Sequence, residues 1–186
     1  MPLTPFSEIE YRALRKTIAS RGTVRMALVP ATLFGWAALV TAVLLLSPIP
    51  LAALPPLLLL AGGFESVHAL HVGVERIGRY VQVFYEETLA AQSEGAPKWE
   101  VRAMTGGPKG GITLDPLFSA LFAVATLVNL TIALVARPTT LETVVIAFPH
   151  LALIARILQT RSAASRQRAR DLDHYRAVRD DRKSTT

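Results

Sequence analysis

The chain lacks cysteine and is poor in charged residues. None of its 186 residues is cysteine, which excludes disulfide bonds, thiolate metal sites and cysteine nucleophiles. Asp, Glu, Lys and Arg make up 18% of the chain, whereas a soluble domain carries about 25%. The basic residues are mainly arginine and Asn129 is the single asparagine, a bias typical of a GC-rich bacterial genome. The low charge content favours a membrane protein, and the arginine bias favours a bacterial source.

Charge is absent from two long stretches. No Asp, Glu, Lys, Arg or His occurs between Met26 and Phe64 or between Pro116 and Ala136. A helix needs about 20 residues to cross a hydrocarbon core of about 30 Å. The apolar run from Met26 to Leu46 is longer than the roughly 7–15 apolar residues of a signal peptide, so we predict that it is a retained membrane anchor. We predict four transmembrane helices in all, at 26–46, 51–74, 116–136 and 141–158.

The segments around these spans are polar. Residues 1–25 are predicted as a cytoplasmic leader that contains a short amphipathic helix over residues 4–21, which either lies on the anionic membrane surface or is solvated. Residues 75–115 are predicted to continue the second helix to about Ala91 and then to form a Gly-rich loop. Residues 159–186 are predicted as a charged helical tail. The predicted fold is a single all-α integral membrane domain.

Basic residues are concentrated on one side of the predicted bundle. Of the 20 lysines and arginines, 19 fall in the leader, in residues 75–115 or from Arg156, near the end of the fourth span, onward; the exception is Arg137. The positive-inside rule therefore places both termini in the cytoplasm, in a bacterial cytoplasmic (inner) membrane. We expect anionic head groups as the partner of the basic residues. We expect no nucleic-acid binding, because aspartates follow the arginine cluster of the tail.

A polar stripe follows the second predicted helix at intervals of three or four residues. Its members are Glu65, His68, His71, Glu75, Arg79, Gln82 and Glu86. They share about one third of the helix circumference. Ionisable residues inside a bilayer are costly and usually mark a site or a pathway. We predict that His150 contacts Glu65 or His68 across the bundle, within a polar intramembrane site formed by Glu65, His68, His71, Glu75, Arg79, His150 and Asn129.

Three interpretations of this site are open. Polar side chains that satisfy one another would hold helices together, within the chain or in a homo-oligomer or membrane complex assembled through the second helix. Titratable groups one turn apart would instead conduct protons or ions. The third interpretation is a cofactor, either haem b with His68, His71 and His150 as candidate ligands, or a metal ion at Glu65 and His68. Because a di-iron site needs a second Glu-x-x-His pair and the sequence has none, haem is the more specific of the two cofactor interpretations, and no cofactor is predicted.

The segment from Phe64 to Glu87, FESVHALHVGVERIGRYVQVFYEE, resembles small multi-pass bacterial membrane proteins of no assigned function. With the basic leader and the Arg-rich tail, the resemblance extends over most of the chain. It implies a multi-pass fold and supplies no catalytic residue. Because no nucleophile elbow or zinc-protease motif is visible, we expect a non-enzymatic structural protein or complex subunit.

Overall fold

Nearly all of the residues that the structure describes are helical. The computed structural model describes residues 5–46, 49–87 and 116–184, and no strand occurs in these ranges. The four long helices are α1 (Pro5–Leu46), α2 (Leu54–Val81), α3 (Pro116–Val135) and α4 (Thr140–Ser184). Each belongs to a helical segment that is long and apolar enough to cross a membrane. The predicted all-α fold with four candidate transmembrane helices is confirmed, and it indicates a membrane protein.

The chain divides into two compact units, which we describe separately. The apolar unit comprises the described residues within Val24–Ala69 and Leu114–Ser162. The polar unit comprises the described residues within Met1–Thr23, Leu70–Thr113 and Ala163–Thr186. Helices α1, α2 and α4 contribute residues to both units.

Helix α1 is longer than the sequence predicted. We expected a leader helix within 1–25 and a separate span at 26–46, but one helix covers Pro5–Leu46. Gly22 costs a helix only about 1 kcal/mol relative to alanine, which does not end it. Pro30 lies inside α1, where it removes one backbone hydrogen bond without ending the helix. No proline or capping pair separates the two predicted segments, so nothing in the local sequence stops the helix.

The ends of α2 differ slightly from the prediction. A 3-10 turn at Pro50–Ala53 precedes it, so the regular helix begins at Leu54. A π-helical segment, Gln82–Glu86, follows it. The helix that was predicted to reach Ala91 is present as far as Glu87, whereas its remainder, the Gly-rich loop and Pro48 lie outside the described residues.

The turn between α3 and α4 has a distinct structure at each of its ends. Arg137 adopts a left-handed conformation with φ 55°, and its N–H donates to the carbonyl oxygen of Leu134 at 3.1 Å. Thr139 and Glu142 then form a capping box. The backbone N–H of Thr139 donates to Oε2 of Glu142 at 2.8 Å, and the N–H of Glu142 donates to Oγ1 of Thr139 at 3.4 Å. This box starts α4 close to the predicted position.

The core of the apolar unit is formed by large side chains, and α1 and α2 lie close together beside it. Phe64 of α2 meets Phe122 of α3 edge to face, with ring centroids 5.6 Å apart. A Cβ atom on Gly63 would clash with the side chain of Thr32, so glycine permits the contact between α1 and α2. Close approach at small residues is a main source of packing energy between membrane helices. The buried cluster consists of Val29, Leu57, Leu60, Phe64, Val67, Phe122, Ala125, Leu153 and Ile157.

Candidate functional site

A buried hydrogen-bond network centred on Asn129 crosses the apolar unit. Nδ2 of Asn129 donates to the carbonyl oxygen of Ala53 at 2.9 Å and lies 2.9 Å from Nε2 of His150. Its Oδ1 accepts a hydrogen bond from Nε1 of Trp36 at 3.3 Å. Asn129 and His150 are both fully buried. The network therefore joins α1, the turn before α2, α3 and α4.

The network determines which nitrogen of His150 carries a proton. Nδ1 of His150 lies 2.7 Å from the carbonyl oxygen of Ile146, which can only accept, so Nδ1 holds the proton and donates it. Nε2 then accepts a hydrogen bond from Asn129. Both N–H groups of the Asn129 amide and both ring nitrogens of His150 are in use. His150 is therefore a neutral imidazole with no nitrogen left to bind a metal or a haem iron.

Glu65 pairs with Arg156, in place of the contact with His150 that the sequence predicted. Nε of Arg156 donates to Oε1 of Glu65 at 2.7 Å, and Nη2 donates to Oε2 at 3.1 Å. The reason is depth. At 1.5 Å per residue, Arg156 lies about 9 Å farther along α4 than His150, which brings it level with Glu65.

His68 lies one turn from Glu65 on α2 and is half-buried. Its ring stacks on Phe64, with centroids 6.1 Å apart and planes 3° apart. Within the described residues its Nδ1 has no hydrogen-bond partner. Those residues also include no cluster of three or more His, Asp or Glu side chains that could hold a metal ion. Because the Glu65 carboxylate is hydrogen bonded to Arg156, the Glu-x-x-His pair leaves only His68 as a candidate metal ligand.

His71, Glu75 and Arg79 form a row of contacts in the polar unit. Nε2 of His71 lies 3.5 Å from Oε1 of Glu75, whose Oε2 accepts a hydrogen bond from Nη2 of Arg79 at 2.5 Å. These contacts follow from the i, i+4 spacing of the three residues. The buried Arg79 also donates through Nη1 to Asp171 of α4. The guanidinium thus binds two carboxylates, which offsets the cost of burying it.

Glu87 binds two arginines of α4 in the same unit. Its Oε1 accepts from Nη2 of Arg176 at 2.9 Å, and its Oε2 accepts from Nη1 of Arg179 at 2.7 Å. Partial burial raises the pKa of Glu87, but the two hydrogen bonds outweigh burial and hold that pKa below its ordinary value. Hydrogen bonds to Asp180 and Glu87 raise the pKa of Arg179. This clamp connects α4 to the segment that follows α2.

Aromatic rings pack the remaining interior of the polar unit. Tyr80 lies 4.7 Å from Phe84 and 5.8 Å from Tyr175, measured between ring centroids. The Tyr80 hydroxyl donates to Oε1 of Glu10 at 3.1 Å. The polar unit is therefore held by ring packing as well as by ion pairs, and it joins the start of α1 to α2 and α4.

Arg156, Asp171 and Trp36 contact the predicted site residues, although the spacing pattern along the chain does not mark them as partners. A basic residue inside an otherwise apolar segment is a signal that could have singled out Arg156 as the counter-ion of Glu65. Asp171 follows a cluster of arginines and has no pattern that marks it as a partner of Arg79. Trp36 sits in a charge-free run, and a tryptophan there carries no signal of a buried hydrogen bond.

No family model, curated protein or solved structure matches the chain. The function must therefore be inferred from the geometry of its own residues. That geometry consists of the closed network at Asn129, the ion pair at Glu65 and the carboxylate–arginine contacts of the polar unit.

Proposed function

We propose that this chain is a non-enzymatic, four-span structural subunit of a membrane complex in the bacterial cytoplasmic (inner) membrane. Its buried polar residues bind its helices to one another. The observation that carries the proposal is the closed network of Asn129 and His150, in which both groups use their hydrogen-bonding capacity on protein atoms. A relay or a ligand site requires groups that remain available to a proton or a metal.

The proposed orientation has both termini in the cytoplasm. It is supported by the concentration of basic residues in the leader, the central loop and the tail, against Arg137 alone in the turn between α3 and α4. A reporter fused after Thr186 should be active in the cytoplasm, and one inserted at Thr139 should not. A reporter after Thr186 that is active outside the cytoplasm would contradict this orientation.

Spectroscopy and metal analysis of protein purified from membranes test the structural role. We expect no haem absorption, no stoichiometric metal and no proton flux into reconstituted vesicles above that of protein-free vesicles. A haem spectrum would instead support the haem b interpretation, with His68 and His71 as the remaining candidate ligands. A proton flux that Glu65→Gln abolishes would support conduction.

A further inference from the structure

The Glu65–Arg156 ion pair lies on the surface of the apolar unit. The side chain of Glu65 is 46% exposed and that of Arg156 is 48% exposed, although both belong to helical segments that are apolar enough to cross a membrane. An ion pair of this kind in water contributes little to stability. In hydrocarbon, its remaining N–H groups and oxygen lone pairs would each need a partner.

The pair lies inside the span rather than at its border. Counted from Pro50, through the 3-10 turn and into α2, Glu65 is about 24 Å from the start of its segment. Arg156 is also about 24 Å from the start of α4 at Thr140. A hydrocarbon core of about 30 Å would leave both residues about 6 Å below the cytoplasmic border. Among the described residues, the Glu65 carboxylate accepts side-chain hydrogen bonds from Arg156 alone, and the other N–H groups of the Arg156 guanidinium have no partner.

On α2, the exposed residues within one turn of the pair are all small: Gly62, Ser66 and Ala69. On α4, Ala152 and Ala155 are exposed before Arg156, and the larger Leu158 and Gln159 are exposed after it. A Cβ atom on Gly62 would meet nothing within 4 Å. The pair therefore stands on a shallow surface that another helix can approach closely.

We propose that a second copy of the chain docks on this surface, related by a twofold axis along the membrane normal. Glu65 of each copy then accepts hydrogen bonds from Arg156 of the partner subunit, and the four charges close into a ring. A twofold contact is self-complementary in this sense, because each residue of the pair meets the other across the axis. The inference rests on the proposed membrane-spanning function and names one partner for it.

The charge pattern favours a second copy over an anionic lipid head group. A phosphate beside Arg156 would also face the carboxylate of Glu65, which repels it. A second copy brings a carboxylate to the arginine and an arginine to the carboxylate at the same time. This complementarity is lost if either charge is reversed in both copies.

Cysteine cross-linking tests the proposal directly, because the chain contains no cysteine of its own. Gly62→Cys and Ser66→Cys should each give disulfide-linked dimers when isolated membranes are oxidised. Ala120→Cys, at an exposed position of α3, is the matched control and should not. Cross-linking at Gly62 and Ser66 that is no stronger than at Ala120 would overturn the proposal.

A bulky substitution tests the surface without touching the charges. Gly62→Leu places its side chain in open space in the single chain, so the fold should persist while the second copy is displaced. In the Ser66→Cys background we expect the cross-linked fraction to fall about tenfold, which corresponds to about 1.4 kcal/mol of association free energy. A dimer fraction unchanged by Gly62→Leu would overturn the proposal.

Charge exchange between differently tagged copies tests the ring. Copies with Glu65→Arg and copies with Arg156→Glu should each fail to dimerise alone and should capture one another when co-expressed. A dimer that forms only in vesicles containing anionic lipid would show that head groups hold the copies together, and would overturn the proposal. Gly62→Leu remains decisive where the charge variants fail to insert.

The outcomes separate the dimer from the proposed function. A cytoplasmic C-terminal reporter together with monomeric protein removes the dimer and leaves the four-span structural subunit. A misplaced reporter or a haem spectrum removes the proposed function, whatever the cross-linking shows.

Discussion

The Asn129→Leu substitution should destabilise the apolar unit by about 2 kcal/mol or more. It removes the hydrogen bonds to the Ala53 carbonyl, to Nε2 of His150 and from Nε1 of Trp36. Interhelical hydrogen bonds in membranes contribute about 0.6 kcal/mol each on average, and three of them amount to about 2 kcal/mol. The buried groups left without a partner add to the loss. Denaturant titration in detergent micelles measures the free energy of unfolding.

Val128→Leu is the matched control for this experiment. Val128 is the neighbouring residue on α3, is 41% exposed and carries no polar group, so the free energy of unfolding should change by less than about 0.5 kcal/mol. Asn129→Leu and His150→Ala should combine non-additively, because each removes the same hydrogen bond. An effect of Asn129→Leu no larger than that of Val128→Leu would refute the reasoning.

Three further predictions concern packing, capping and pH. Gly63→Ala should lower the free energy of unfolding by about 1–3 kcal/mol, since its Cβ meets Thr32, whereas Gly62→Ala should be neutral or stabilising by up to about 1 kcal/mol. If Gly63→Ala and Gly62→Ala shifted thermal unfolding in detergent equally, the close contact between Gly63 and Thr32 would be excluded. Thr139→Ala removes the cap of α4 and should cost about 1 kcal/mol in the same assay, and unchanged stability would argue against the cap. The pKa of Glu87 lies below its ordinary value of 4.5. Its ion pairs therefore contribute fully to the free energy of unfolding above pH 4.5, and this contribution is lost as the pH falls through the pKa of the folded state. Glu87→Gln should therefore make the free energy of unfolding fall less steeply as the pH is lowered below 4.5. A pH dependence equal to that of the wild type would contradict the role of Glu87.

The helices could be predicted from the sequence because the cost of charge in hydrocarbon leaves a long-range signal. The uncharged runs between Met26 and Phe64 and between Pro116 and Ala136 mark the first span, the start of the second and the third without any knowledge of packing. The continuity of α1 was harder to foresee, because a change from polar to apolar residues does not require a break in the backbone. Composition reports the environment of a helix, whereas its ends depend on local caps and prolines.

The partners of the polar residues could not be predicted to the same degree. Periodicity shows which side chains share a face of α2, and it says nothing of which residue of another helix lies opposite. Glu65 shows this limit. Its predicted partner, His150, lies about 9 Å along α4 from its actual partner, Arg156. Contacts along one helix, such as Glu75 with Arg79, follow from spacing alone and are present.

The protonation of the His150 ring tests most directly whether the buried polar residues form a closed structural network. Nitrogen NMR of protein labelled in its histidine rings, with His150→Gln for assignment, distinguishes the tautomers and detects a bound metal. The closed network predicts a neutral ring with its proton on Nδ1 and with Nε2 accepting a hydrogen bond. A proton on Nε2, a charged imidazolium or a metal-bound nitrogen would contradict it.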